Sequence, residues 1–266
     1  MFKEICVKSV LQKSRLPESP YCINPYVGCT HSCAYCYARF MRRFTGHKEK
    51  WGSFVDIKVN APVLLAKQLD HLRATGSVLI GSVCDAYQPI EEKSRVTRGC
   101  VEQLISHSIP FSILTKSSLV IRDIDLFLHA TSPVSIGFSI SMLDDATRKV
   151  FEPGASAIAD RIQAMKLLHD AGIRTYAFIG PILPLITNPT EIVKIVNQYA
   201  DEVWGEVLNM RCGNKEDLTV AYQSCGISRE WERMTNTKEF WIETEEALRK
   251  ICALAGKQLI GFYQHH

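Results

Sequence analysis

Nowhere in the 266 residues do eighteen consecutive apolar residues occur, and the opening MFKEICVKSVLQKSRLP lacks the unbroken apolar stretch of a secretory leader. Neither a membrane span nor a signal peptide is expected, and the location expected is cytoplasmic. Low-complexity tracts, internal repeats and linker-like segments are missing as well, so the sequence predicts one domain over residues 1–266. Charge of one sign is scarce: 31 Lys and Arg against 28 Asp and Glu leave a net +3. That balance tolerates an anionic partner but falls short of the basic footprint that would by itself argue for nucleic acid. The ten cysteines lack the spacing of a disulfide framework. Three crowd into eight residues, while Cys6, Cys22, Cys84, Cys100, Cys212, Cys225 and Cys252 are scattered, a pattern that fits a reducing compartment and a metal site. With 46% hydrophobic residues the chain can bury one sizeable core, and a monomer is expected.

What is present is a rhythm of short β-branched runs and longer amphipathic ones. CINPYV, FVDIKV, SVLIGSV, FSILTK, VSIGFSI, IRTYAFIG and EVWGEVLN read as strands. Between them PVLLAKQLDHLRA, SRVTRGCVEQLISHS, ASAIADRIQAMKLLHDAG and PTEIVKIVNQYA repeat apolar residues at three- and four-residue intervals, with Gly172 at a helix C-cap position. The alternation predicts βα units on a parallel sheet, an α/β barrel or partial barrel whose active face gathers at the strand C-termini. After EVWGEVLN the sequence turns helix-rich over about 214–256 and closes on the apolar run QLIGFY.

The segment Gly28-Cys29-Thr30-His31-Ser32-Cys33-Ala34-Tyr35-Cys36-Tyr37 puts three thiols in one loop directly after a strand. Three soft thiolates so close together reach three corners of a cubane iron–sulfur cluster, and the absent fourth cysteine leaves one iron open. The alternatives are a zinc site completed by His31 or a remote cysteine, and a ferredoxin-like carrier, for which no fourth cysteine lies nearby.

The spacing resembles the CxxxCxΦC signature of the radical S-adenosylmethionine (SAM) superfamily, with Tyr35 in the aromatic position. INPYVGCTHSCAYCYAR, SVCDAYQPIE, LTKS, FSIS followed by FEPGA, and AGIRTYAFIGPILP occur in that order within about residues 21–210. Together they resemble the spore photoproduct lyase-like, or DNA repair photolyase-like, branch. The resemblance implies an α/β fold, a partial (β/α)6 TIM-like barrel over about 21–210, with the remaining residues, about 211–266, as a helix-rich C-terminal extension. It implies a 4Fe–4S cluster on Cys29, Cys33 and Cys36 at the barrel mouth, with SAM across the strand ends. The implied activity is reductive cleavage of SAM to a 5′-deoxyadenosyl radical that abstracts hydrogen from a substrate, by analogy a nucleic-acid base or nucleotide. An external one-electron reductant of flavodoxin or ferredoxin type is implied too. A peptide or small-metabolite substrate, and a non-catalytic zinc- or cluster-stabilised nucleic-acid-binding module, are the alternatives.

Carried over residue by residue, the resemblance assigns Ser82 and Asp85 to the end of the second barrel strand, with Asp85 toward the SAM amino group; a capping or turn role is the competing reading of Asp85. Lys116 corresponds to the lysine that meets the SAM carboxylate. Ser139 or Ser141 adds a hydroxyl there, and strand alternation places both on one face. Tyr35 and Tyr37 match the paired tyrosines associated with hydrogen-atom return, Tyr35 also suiting a packing role against adenine. Ser82 stands where the lyase has its hydrogen-donating cysteine, and Cys84, two residues on, is the candidate replacement. That departure separates the chain from spore photoproduct lyase activity itself. An auxiliary cluster on Cys212, Cys225 and Cys252 has irregular spacing against it. Arg39, Arg42 and Arg43 suit either a phosphate or a solvated helix face. His265 and His266 read as a tag remnant.

Overall fold

A computed structural model describes residues 1–16, 18–72 and 76–265, so His266 lies outside the described residues. Its strands are β1 (Phe2–Ile5), β2 (Leu11–Leu16), β3 (Ser19–Ile23), β4 (Tyr26–Val27), β5 (Val55–Lys58), β6 (Val78–Ile80), β7 (Phe111–Thr115), β8 (Val134–Ser139), β9 (Arg174–Ile182), β10 (Glu202–Val207) and β11 (Leu259–Tyr263). Helices α1 (Ala61–Asp70), α2 (Glu91–Ser94), α3 (Val96–Ser106), α4 (Ile124–Leu128), α5 (Asp145–Phe151), α6 (Ile158–Asp170) and α7 (Pro189–Val196) separate the strands. Three more, α8 (Lys215–Ser224), α9 (Glu230–Thr235) and α10 (Lys238–Leu254), precede β11.

Eight strands form one sheet in the order β11-β10-β9-β8-β7-β6-β3-β2. Every neighbouring pair is parallel except the β2–β3 hairpin. The sheet curls into a half-barrel, the expected α/β architecture. Parallel strands covered on both faces read as near-continuous apolar runs, and β9 is buried at every position after Arg174. Local signals end the helices where the periodicity stops. Gly172 takes φ +81° just beyond α6, where its N–H meets the His169 carbonyl at 2.8 Å and the Ile173 N–H meets that of Leu168 at 3.0 Å, a Schellman closure. Asn188 caps α7 with its side chain, and Pro189 follows in the first turn.

Two strand assignments from sequence are corrected. FVDIKV is not a barrel strand: β5 pairs in parallel with β1 and antiparallel with β4 in a separate three-stranded sheet. All four of its residues are buried, so its sequence carries the pattern of an interior strand without the partner that a barrel strand has. CINPYV divides between β3 and β4 at Asn24-Pro25, because proline cannot donate to a ladder. QLIGFY, beyond the helical segment, adds β11 as a further parallel strand beside β10.

Candidate functional site

The cysteine loop leaves β4 through Gly28, whose φ of +90° and whose position, where a Cβ would stand 2.3 Å from the Phe54 carbonyl oxygen, admit only glycine. Two consecutive turns then wind the cysteines: the Ser32 N–H meets the Cys29 carbonyl at 3.4 Å, and the Cys36 N–H that of Cys33 at 3.1 Å. Buried Gln88 holds the inner side, accepting from the Thr30 N–H at 2.9 Å and donating to the Gly28 carbonyl at 3.1 Å. The turn after α5 closes against the same loop: the Gly154 N–H meets the His31 carbonyl at 3.1 Å, and the Ala34 N–H the Phe151 carbonyl at 2.8 Å. The outer side is tied to the chain just before and within α8. Arg39 donates to the carbonyls of Cys36 and Ala34, each at 2.9 Å, and to Asp217 at 2.9 Å, while Asn214 donates to the Tyr35 carbonyl at 3.0 Å. Trp51 Nε1 donates to Cys36 Sγ at 3.2 Å.

Cys29, Cys33 and Cys36 line one cavity of about 780 Å³ inside the half-barrel. Burial pushes all three thiols up, and Lys116 opposes that rise at Cys33 and Cys36. Such thiols ionise only when a metal displaces their protons. A single zinc ion would need three or four side chains to converge on one point. A cubane needs no such convergence, since its cysteines bind separate irons. The donor set, with an indole N–H on one sulfur, therefore fits an iron–sulfur cluster.

Ser82, Asp85, Lys116, Ser139, Tyr35, Tyr37 and Cys84 border the same cavity. Asp85 is engaged on every side: it accepts from Thr115 Oγ1 and the Lys116 N–H, each at 2.7 Å, and from the Tyr87 N–H at 2.9 Å, while His31 Nδ1 lies 3.3 Å away. Burial would raise its carboxyl, but His31 and these donors outweigh burial and hold it well below the usual range. Lys116 Nζ stands 5.5 Å over the Tyr35 ring and has no ion pair among the described residues. Tyr35 donates to Glu152, which pairs with Arg161 in a bridge with both side chains fully buried. Arg161 also donates to the Ser139 carbonyl at 3.0 Å. Tyr37, 38% exposed, donates to the Ser82 carbonyl.

Ser141 and the more distant cysteines lie elsewhere, and Cys84 borders the cavity from within the core. Strand alternation would pair Ser139 with Ser141, but β8 ends at Ser139, and Ser141 is fully buried away from the cavity lining. Cys84 is 7% exposed within the core, its sulfur 3.7 Å from Asn24 Oδ1. Burial pushes that thiol up to about 12. Cys212 sits beside the Cys36 carbonyl at 3.8 Å, Cys225 caps α8 and Cys252 is buried within α10. Arg39 is consumed in tying the loop, while Arg42 and Arg43 are exposed. Glu152, Arg161, Gln88 and Trp51 were missed from sequence. FEPGA and SVCDAYQPIE contain two of them, and a charged or amide side chain inside an otherwise apolar landmark was the available signal.

Among the described residues no helix is long and apolar enough to cross a membrane. The Radical SAM superfamily model matches residues 23–199. An uncharacterized protein of Methanocaldococcus jannaschii is 36% identical over 212 residues, 80% of this chain and 79% of that protein. The radical SAM Nα-GlyT isomerase of Pseudomonas phage M6 is 26% identical over 179 residues, which are 66% of this chain and 36% of the isomerase. Among solved structures, spore photoproduct lyase complexed with dinucleoside spore photoproduct superimposes with a TM-score of 0.74 at 15% identity, covering 99% of this chain and 82% of the lyase.

Proposed function

Because this chain belongs to the radical SAM superfamily, we propose that it cleaves SAM reductively and abstracts a hydrogen atom from a nucleobase-bearing substrate. One observation carries the reading: three cysteines and an ammonium without an ion pair among the described residues, Lys116, directly beyond the C-terminal end of β7, face one cavity of the half-barrel. When bound, a 4Fe–4S cluster with an open iron supplies the electron that splits a C–S bond of SAM to give the 5′-deoxyadenosyl radical.

The chain's own residues divide the remaining work. Cys29, Cys33 and Cys36 hold the cluster as thiolates. Lys116 takes the SAM carboxylate in a charge-assisted hydrogen bond, with the Ser139 and Ser82 hydroxyls beside it. Asp85, saturated by protein donors, acts as a positioning residue that fixes the Lys116 backbone. Tyr35 packs under Lys116 and is held by Glu152. Tyr37, exposed at the cavity, is better disposed to return a hydrogen atom than the buried Cys84 thiol. The electron comes from an external reductant, here assigned to a flavodoxin or ferredoxin type. The substrate class rests on the dinucleoside spore photoproduct held by the similar lyase. A peptide or small-metabolite amine is the second reading, favoured by the carboxylates around the cavity.

The test is anaerobic reconstitution with iron and sulfide, followed by reduction in the presence of SAM. Visible charge-transfer absorbance and release of 5′-deoxyadenosine are expected; an iron-loaded protein that releases none overturns the reading.

A further inference from the structure

The part of the cavity formed by β9, β10 and β11 has a chemistry of its own. One face of β10 presents Glu202, Trp204 and Glu206 in alternation, and all three line the cavity. Tyr176 and Phe178 of β9 and Tyr263 of β11 extend this into an aromatic wall. The Trp204 and Tyr263 rings stack at 5.9 Å, 8° from parallel, and those of Phe178 and Tyr263 at 6.2 Å and 29°. Glycines give these rings their seats. A Cβ would stand 2.0 Å from the Tyr176 ring at Gly137, 2.2 Å from Phe178 at Gly180 and 2.6 Å from Trp204 at Gly261. Gly137 and Gly261 lie directly across the ladder from Tyr176 and Trp204. The rings therefore lie down on the sheet, leaving the space above them open.

The charges around this wall are mostly negative. Among the described lining residues, the carboxylates of Glu18, Asp85, Glu202 and Glu206 face only Lys116 and Arg174 as permanent cations. Asp85 is engaged on β7, Arg174 pairs with Glu202, and Glu18 accepts from the Tyr263 hydroxyl at 2.8 Å. The His265 imidazole stands 3.3 Å from Glu206. A carboxylate beside aromatic faces attracts cations and N–H donors and repels phosphate.

We infer that Glu206, Trp204 and Tyr263 form a substrate subsite for a planar group carrying an amino or ammonium function, with any phosphate of the substrate kept outside the barrel. The inference rests on the radical SAM reading and specifies which part of the substrate enters. Stacking on the aromatic wall orients the ring, and Glu206 accepts from its N–H.

Calorimetry on the reconstituted, SAM-bound protein tests this with three probes of one shape: benzylamine, benzyl alcohol and benzoate. Benzylamine is expected to bind about tenfold or more tighter than benzoate. Glu206→Gln should abolish that preference, and Glu206→Asp, which keeps the charge, should restore most of it, separating a lost charge from a misfolded wall. His265→Ala should leave benzylamine binding as tight or tighter. Benzoate binding as well as benzylamine, a preference untouched by Glu206→Gln, weaker binding in His265→Ala, or binding of none of the probes overturns the subsite. Release of 5′-deoxyadenosine by the unaltered protein is measured separately, so that failure of the subsite and failure of the radical chemistry are told apart.

Discussion

The indole N–H of Trp51 points at the sulfur of Cys36, 3.2 Å away, from a ring packed edge-on against Phe54. A hydrogen bond to a ligand sulfur stabilises the more electron-rich, reduced form of a cluster and so raises its potential. Trp51→Phe keeps the ring and removes the donor. The midpoint potential of the reconstituted cluster, followed by electron paramagnetic resonance during redox titration, should fall by on the order of 50 mV. An unchanged potential would show that the bond does not tune the cluster.

Lys116 has no ion pair among the described residues, so a bound carboxylate is its available counter-charge. Lys116→Met should weaken SAM binding about tenfold to a hundredfold, the worth of one charge-assisted hydrogen bond. Calorimetry with the reconstituted protein checks it. Substitution of the exposed Arg42 or Arg43 should change SAM affinity far less.

Replacing any one of Cys29, Cys33 and Cys36 by Ala should abolish stable incorporation of iron and sulfide, because two thiolates do not hold a cubane that already lacks one protein ligand. Iron and acid-labile sulfide analysis decides the matter. Full iron content in Cys33→Ala would remove that residue from the ligand set.

The Glu152–Arg161 pair is fully buried, and such a pair is most costly when one partner is lost. Arg161→Met should lower unfolding free energy by roughly 3–5 kcal/mol in denaturant titrations. Burial pushes the Glu152 carboxyl up, but Arg161, Lys116 and Tyr35 bring it net below its ordinary range. A carboxyl lowered on folding stabilises above its unfolded value of about 4.3, and that contribution fades as pH falls through the folded value. The stability advantage of the unaltered protein over Glu152→Gln should therefore stay constant from about pH 7 down to about pH 5.5 and shrink below that.

The parallel sheet was legible because β9 is buried at nearly every position and its neighbours are rich in apolar residues, and the cysteine loop because its three cysteines are local in sequence. The position of β5 was not legible: burial dictates its composition, whereas its membership in the small sheet depends on pairing with β1, fifty-odd residues earlier. Ser139 and Ser141 show a second limit, since alternation predicts a shared face only while a strand lasts. Asp85 could be seen as important, but its four neighbours come from three chain segments, so the contacts that saturate it needed the fold. Glu206 and Trp204 were read only as strand residues, because an aromatic wall becomes visible once β9, β10 and β11 lie side by side.

Arg39, Asn214 and Asp217 join the cysteine loop to a segment made some 175 residues later. During synthesis the three cysteines leave the ribosome long before the residues that brace their outer side. A nascent chain that ends before α8 carries the whole cysteine loop without the Arg39–Asp217 and Asn214–Tyr35 hydrogen bonds. The order of the sequence thus makes the bracing of the loop a late event, one that waits for the C-terminal third of the chain.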